Sequence, residues 1–384
     1  MKRMAHILGL FPGQGSQKVG MGKDLFAESA LAREIFAAAD QALGFSLSTI
    51  CFEGPAERLT ATEIAQPAIL TVSTICYRLA AEAGLGLTAA AGHSLGEYSA
   101  LVAAGALRFE DAVVLVHKRG KYMQSAVPVG AGKMVAVLGK ELEAIEAAIA
   151  AVSNGIVQVA NINSPGQIVV AGSASAVDAF KGALGDARMT DLVVSAPFHC
   201  ALMQPAADRL AVDLDACSIS PAAFPVYANV TAAPVRTPDE IRAALKAQVC
   251  GRVRWIESMQ NAIKIESIDR AIEFGAGAVL VGLLKRINGA VPRQSVGALA
   301  DVSSAVANLP ARYPISRSSG RTWLAPMNLS DRWVTTIWGN VNPATSTMLA
   351  AKSSSSTRRS NLSASGAIKT MATIEMSTVS AEKS

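Results

Sequence analysis

The sequence predicts an α/β fold: a large domain on a mainly parallel sheet with a nucleophile elbow, plus an inserted ferredoxin-like βαββαβ subdomain. Three observations predict it. Short apolar runs alternate with helical periodicity along most of the chain, the pattern of parallel strands covered by helices on both faces. Between residues 131 and 195 that rhythm changes to β-α-β-β-α-β. The third is Gly92-His93-Ser94-Leu95-Gly96, which follows a small-residue run and enters a helical pattern at Tyr98, Leu101 and Val102. Strand, sharp turn and helix form the setting in which Gly-x-Ser-x-Gly becomes such an elbow.

Residues 5–11 read as a buried first strand running into Pro12-Gly13-Gln14-Gly15. A helix follows over 24–43, with Leu25, Phe26, Leu31, Ile35 and Phe36 on one face. After a loop at Glu53-Gly54-Pro55, a second helical run leaves Gln66-Pro67 and continues to Leu79. Beyond the elbow, residues 109–125 are helical and carry Arg119 near their end. Pro128–Gly132 is a turn-rich link into the smaller unit. There, strands at 134–138, 156–162, 167–172 and 189–194 are interleaved with helices at 141–152 and 174–184. The chain then returns through Phe198-His199 to a helix at 202–214, a strand at 225–229 and a helix at 238–247. A loop over 248–255 leads to a helix at 256–263, a strand at 268–274 and a helix at 279–286. The expected domains are therefore 1–130 with 196–309, and 131–195.

From about Leu309 the texture breaks. Ser and Thr form roughly a third of residues 310–384, without sustained periodicity, and this stretch reads as a disordered or non-native tail. It also explains the charge. Residues 310–384 hold 9 Lys and Arg against 3 Asp and Glu, whereas the rest of the chain holds 26 against 27. The net +5 thus belongs to the tail, and no basic stripe in the main body supports nucleic-acid binding. At 51% hydrophobic and 17% charged, 384 residues can bury a large core. The longest apolar runs fall short of the roughly 18 residues of a membrane span. Five scattered cysteines with no Cys-x-x-Cys pair argue against a disulfide framework or a metal site, and for a reducing cytoplasm.

Ser94 at the start of a helix is read either as a capping serine or as a nucleophile beside the Leu95 N–H. Arg119, flanked by Lys118 and Lys121, is either a solvated helix end or an anion site. Of the four histidines, His6 lies in a strand, His93 in the elbow and His117 within a helix. His199, at the junction of the two units, is the best-placed base.

Several segments together resemble the malonyl-CoA:acyl-carrier-protein transacylases and related acyltransferase domains. They are Phe11-Pro-Gly-Gln-Gly-Ser-Gln17, Gln66-Pro67, the elbow through Leu101, Arg119-Gly120, Asn163-Ser-Pro-Gly-Gln167, Phe198-His199 and Gly282-Leu-Leu-Lys-Arg286. The resemblance spans about residues 5–300 in order and spacing. It implies Ser94 as the residue that takes a malonyl ester and His199 as its general base. It further implies Gln14 and Leu95 as oxyanion donors, and Gln248 as the residue whose backbone carbonyl orients His199. Arg119 would pair with the malonyl carboxylate, and Phe198, Gln66 and Asn163 would line the substrate. Phe198 before the base implies a preference for malonyl over methylmalonyl groups. Malonyl-CoA and a phosphopantetheine thiol on acyl carrier protein are the implied substrates, with no permanently bound cofactor and no metal. A cytoplasmic monomer is expected. Gly275-Ala-Gly-Ala278 and Val249-Cys-Gly-Arg252 depart from the family pattern.

Two rivals share some of these features. An α/β-hydrolase esterase expects a serine, then an acid, then a late histidine. Here His199 lies mid-chain and the follower is Gln248. The other rival is a catalytically silent module of a synthase.

Overall fold

Alternating faces of one parallel sheet organise the larger part of the molecule. The computed structural model describes residues 5–192 and 194–307; the reading of residues 310–384 lies outside them. The strands among the described residues are β1 (Ile7–Phe11), β2 (Ala89–Gly92), β3 (Gly132–Leu138), β4 (Val157–Ser164), β5 (Gln167–Ser173), β6 (Arg188–Asp191), β7 (Val226–Tyr227), β8 (Pro234–Val235), β9 (Arg270–Phe274) and β10 (Arg293–Val296). One sheet runs β10-β9-β1-β2-β7-β8, parallel throughout except for the β7–β8 pair. Along β1, Ile7 and Phe11 enter one apolar core while Leu8 and Leu10 enter another on the opposite face. That period of two buries both faces under helices.

The second sheet runs β4-β5-β3-β6, with every neighbouring pair antiparallel. Val135, Val137, Val159 and Val170 pack with Ile145 and Phe180 of helices Leu142–Ala150 and Ala174–Leu184. The other face, with Met134, Ala136, Val169 and Ala171, joins the main core. Both sheets belong to one compact unit. They are stitched by backbone: Val253 N–H donates to Ala160 O at 2.7 Å, and Ile162 N–H donates to Val253 O at 2.9 Å.

Several expected elements need correction. The helix over 24–43 is two helices, Lys23–Glu28 and Ala30–Leu43, because Ser29 turns extended and caps the second through the Ala32 N–H. The run after Gln66-Pro67 begins earlier, in helix Thr62–Glu82, with Pro67 inside it. Proline cannot donate to the carbonyl four residues back. His117 Nδ1 does so instead, 2.7 Å from Glu63 O. This helix is apolar and long enough to cross a membrane, but 78% of its most apolar window is buried in the core.

Candidate active site

The turn at residues 92–96 is built on contacts that no side chain could share. A Cβ on Gly92 would lie 1.9 Å from the Gly96 carbonyl group, and one on Gly96 would lie 1.9 Å from Phe11 O. The turn after β1 approaches as closely, since a Cβ on Gly13 would meet His93 O at 2.4 Å. Ser94 emerges from this crowding with φ 51°, in the left-handed region that a non-glycine residue occupies only when its surroundings impose it. Helix Gly96–Ala103 starts directly beyond.

His199 comes from the return segment after the smaller sheet and is also left-handed, with φ 61°. Its Nδ1 lies 3.0 Å from Gln248 O and 3.1 Å from Gly251 O. Carbonyls only accept, so Nδ1 carries the proton and Nε2 is left as the acceptor. Ser94 Oγ stands 2.8 Å from that Nε2. Burial first, and then the nearby positive charge of Arg119, push the imidazolium down to about 3. The ring is therefore a neutral base over the whole physiological range.

Arg119 is buried at the far side of Ser94. Its Nη2 donates to Ser94 Oγ at 3.1 Å and to Gln248 Oε1 at 3.0 Å, and its Nη1 donates to Gln66 Oε1 at 2.8 Å. Helix Phe109–Gln124 can press this close to helix Thr62–Glu82 only through Gly120, where a Cβ would lie 2.6 Å from Glu63 Cα. Arg119 Nε, also buried, has no hydrogen-bond partner among the described residues. Burial lowers the Arg119 pKa, opposed by the charges of Tyr98 and Glu97.

The remaining anticipated residues take different places. Asn163 Oδ1 lies 2.8 Å from His93 Nε2, tying the smaller sheet to the turn that carries Ser94. Gln14 Nε2 donates to Thr62 Oγ1 at 3.2 Å, and no described residue accepts from the backbone N–H of Gln14 or Leu95. Phe198 is buried beside the base in the main core. A cleft of about 370 Å³ reaches His199, bordered by Gln158, Cys250 and the Arg252–Glu146 ion pair.

Two participants were not anticipated. Asn229, two residues beyond β7, accepts the Ser94 N–H through Oδ1 at 2.7 Å and donates from Nδ2 to Gly92 O at 2.7 Å. Glu97 accepts from the Asn229 N–H at 2.9 Å and from Gln248 Nε2 at 2.8 Å. Burial pushes Glu97 up to about 7, opposed by these two hydrogen bonds and by Arg119. The signals were present: a glutamate in the first turn of an apolar helix, and a polar residue at the carboxyl end of a strand beside the elbow, where α/β sheets place their crevice.

A serine bonded to a neutral buried histidine and faced by a buried guanidinium suits transfer of an acyl group that carries its own negative charge. The family model for the acyl transferase domain matches residues 10–283. The malonyl CoA-acyl carrier protein transacylase of Bacillus subtilis (strain 168) is 46% identical over 290 residues, covering 74% of this chain and 91% of the relative. That of Escherichia coli (strain K12) is 45% identical over 283 residues, covering 72% and 91%. The chain belongs to the malonyl-CoA:acyl-carrier-protein transacylase family. It is an acyltransferase. Among solved structures, the transacylase of Coxiella burnetii aligns with a TM-score of 0.77 and 40% identity, covering 80% of this chain and 98% of the other. A chain from a type II PKS acyl-carrier protein in complex with its malonyl-transacylase aligns equally well, at TM-score 0.77 and 41% identity, covering 79% of this chain and 100% of the other. Both agree with this family member's mixed α/β architecture and mainly parallel sheet.

Proposed function

We propose that this acyltransferase moves a malonyl group from malonyl-CoA to the phosphopantetheine thiol of acyl carrier protein, supplying extender units for fatty acid biosynthesis. The observation that carries the reading is Ser94 Oγ held between His199 Nε2 and Arg119 Nη2. His199 takes the hydroxyl proton as Oγ attacks the thioester carbonyl. The carbonyl oxygen gains charge and is met by the N–H groups of Gln14 and Leu95. The C–S bond breaks, and His199 returns its proton to the departing thiolate of coenzyme A. The carrier thiol then enters and gives its proton to the same Nε2; its sulfur takes the acyl group as the ester bond to Ser94 Oγ breaks. Ser94 regains its proton.

Arg119 binds the free malonyl carboxylate with a two-pronged pair, and Gln66 holds the guanidinium for that contact. Gln248 orients the base through its carbonyl. Phe198 crowds the acyl Cα and favours malonyl over methylmalonyl groups. Asn163 acts on the substrate region through His93. No bound cofactor or metal enters any step.

Residues 92–96 form the nucleophile elbow, supported by the two glycine contacts. Residues 131–195 form a ferredoxin-like subdomain within the larger domain of residues 1–130 and 196–309. Its support is the β-α-β-β-α-β order and the all-antiparallel strand order β4-β5-β3-β6. Five free thiols support a cytoplasmic location, where the chain acts as a monomer.

The test is mass spectrometry of the protein after brief mixing with malonyl-CoA. A malonyl adduct on Ser94 that persists in water and discharges to holo acyl carrier protein is expected, and Ser94→Ala abolishes both. Rapid hydrolysis without transfer would point to an esterase; absence of the adduct would point to a silent module.

A further inference from the structure

Ser94 needs more than two glycines to stay in the left-handed region. Its peptide groups are gripped from both sides by amide side chains. Asn229 Oδ1 accepts the Ser94 N–H at 2.7 Å, and Gln248 Nε2 donates to the Ser94 carbonyl at 3.0 Å. Either amide could rotate and present the wrong atom, turning an attraction into a repulsion. Asn229 is fixed by its own Nδ2, which donates to Gly92 O at 2.7 Å, whereas Gln248 is fixed, and the Asn229 backbone seated, by a single oxygen. Glu97 Oε2 receives the backbone N–H of Asn229 at 2.9 Å and the second hydrogen of Gln248 Nε2 at 2.8 Å. With Nε2 committed to two acceptors, Gln248 Oε1 faces Arg119 Nη2 at 3.0 Å. The Gln248 backbone carbonyl holds His199 Nδ1.

We propose that Glu97 is a positioning residue for acyl transfer, its Oε2 setting the orientation of Gln248 and the seat of Asn229, and through them the placement of Ser94, His199 and Arg119. Glu97 touches neither substrate nor the reacting atoms. It acts by fixing which way its neighbours point, and an acceptor oxygen of the same reach suffices for that. The inference rests on Ser94 being the nucleophile, as read above.

Full-length Glu97→Ala and Glu97→Gln are compared with the unaltered chain by rapid-quench mass spectrometry of the Ser94 adduct over a range of malonyl-CoA concentrations. Glu97→Ala should slow the maximal rate of malonylation about 100-fold, the loss that misplaced reacting groups bring, while KM changes by less than about 3-fold. Glu97→Gln should recover most of that loss, because its amide oxygen can accept the same two N–H groups. Adding Asn229→Ala to Glu97→Ala should cost little more, since both remove one device. A Glu97→Ala chain that malonylates at the unaltered rate would overturn the proposal, as would a Glu97→Gln chain as slow as Glu97→Ala. Where Glu97→Ala does not fold, Asn229→Ala alone decides, and an unaltered rate there overturns the proposal too. Failure of the unaltered chain to label Ser94 would sink the nucleophile assignment instead, so the two readings fail separately.

Discussion

A histidine meant to accept a proton gains from being hard to protonate beforehand, and His199 is held in that condition by burial and by Arg119. The sign follows. In the proposed mechanism the neutral base is the active form, so its protonation should lower activity near 3 and not at the ordinary value of about 6.5. The profile of kcat/KM for Ser94 malonylation, which reports the free enzyme, should therefore lack an acid limb near 6.5. A bound malonyl carboxylate offsets the charge of Arg119, so the limb in kcat should lie at higher pH than the limb in kcat/KM. A common limb at 6.5 in both profiles would contradict this. At this scale residue type singled out Ser94, His199 and Arg119 as candidates, and the structure brings the three side chains together; their roles come from the resemblance and stand as the proposal above. Asn229 and Glu97 were not singled out, because an amide or a buried carboxyl acquires its role only from the atoms around it.

At the scale of elements, periodicity located the buried strands and most helices, since burial on one face forces a repeat. It failed where local rules were overruled by a distant partner. Pro67 argued for a helix beginning after it, yet helix Thr62–Glu82 runs through because His117 Nδ1 takes up the carbonyl of Glu63. That substitution of donors is measurable. His117→Ala leaves the carbonyl unpaired and should cost about 1–3 kcal/mol in urea denaturation. In a Pro67→Ala background the main-chain N–H returns and the same change should cost distinctly less. Equal costs in both backgrounds would show that His117 stabilises by some other contact. The short strands β8 and β10 were illegible for a simpler reason: they are edge elements, two and four residues long, with one buried side chain each and hence no repeat to read.

For the whole molecule, the family match over residues 10–283 contains every group that the proposed chemistry uses. Removing residues 310–384 should accordingly leave the rates of malonylation and transfer within about 2-fold of the full chain, the change expected when no reacting group is displaced. A large loss would assign the last residues a part in catalysis. The division into two sheets was readable because the pattern changed abruptly at Pro128–Gly132; the way the sheets are joined was not, since backbone pairing leaves no mark on residue type. That join restricts how substrate gains entry. The loop that offers its carbonyls to His199 is continuous with Val253, and Val253 is laced to Ala160 and Ile162 of β4. Swinging the smaller sheet outward would tug on the support of the base and draw it off the serine. On the proposed mechanism, opening of that kind would part His199 from Ser94 and disarm the site. Entry along the cleft beside His199 would leave that join intact, and a long, slender thioester arm has the shape for such a route.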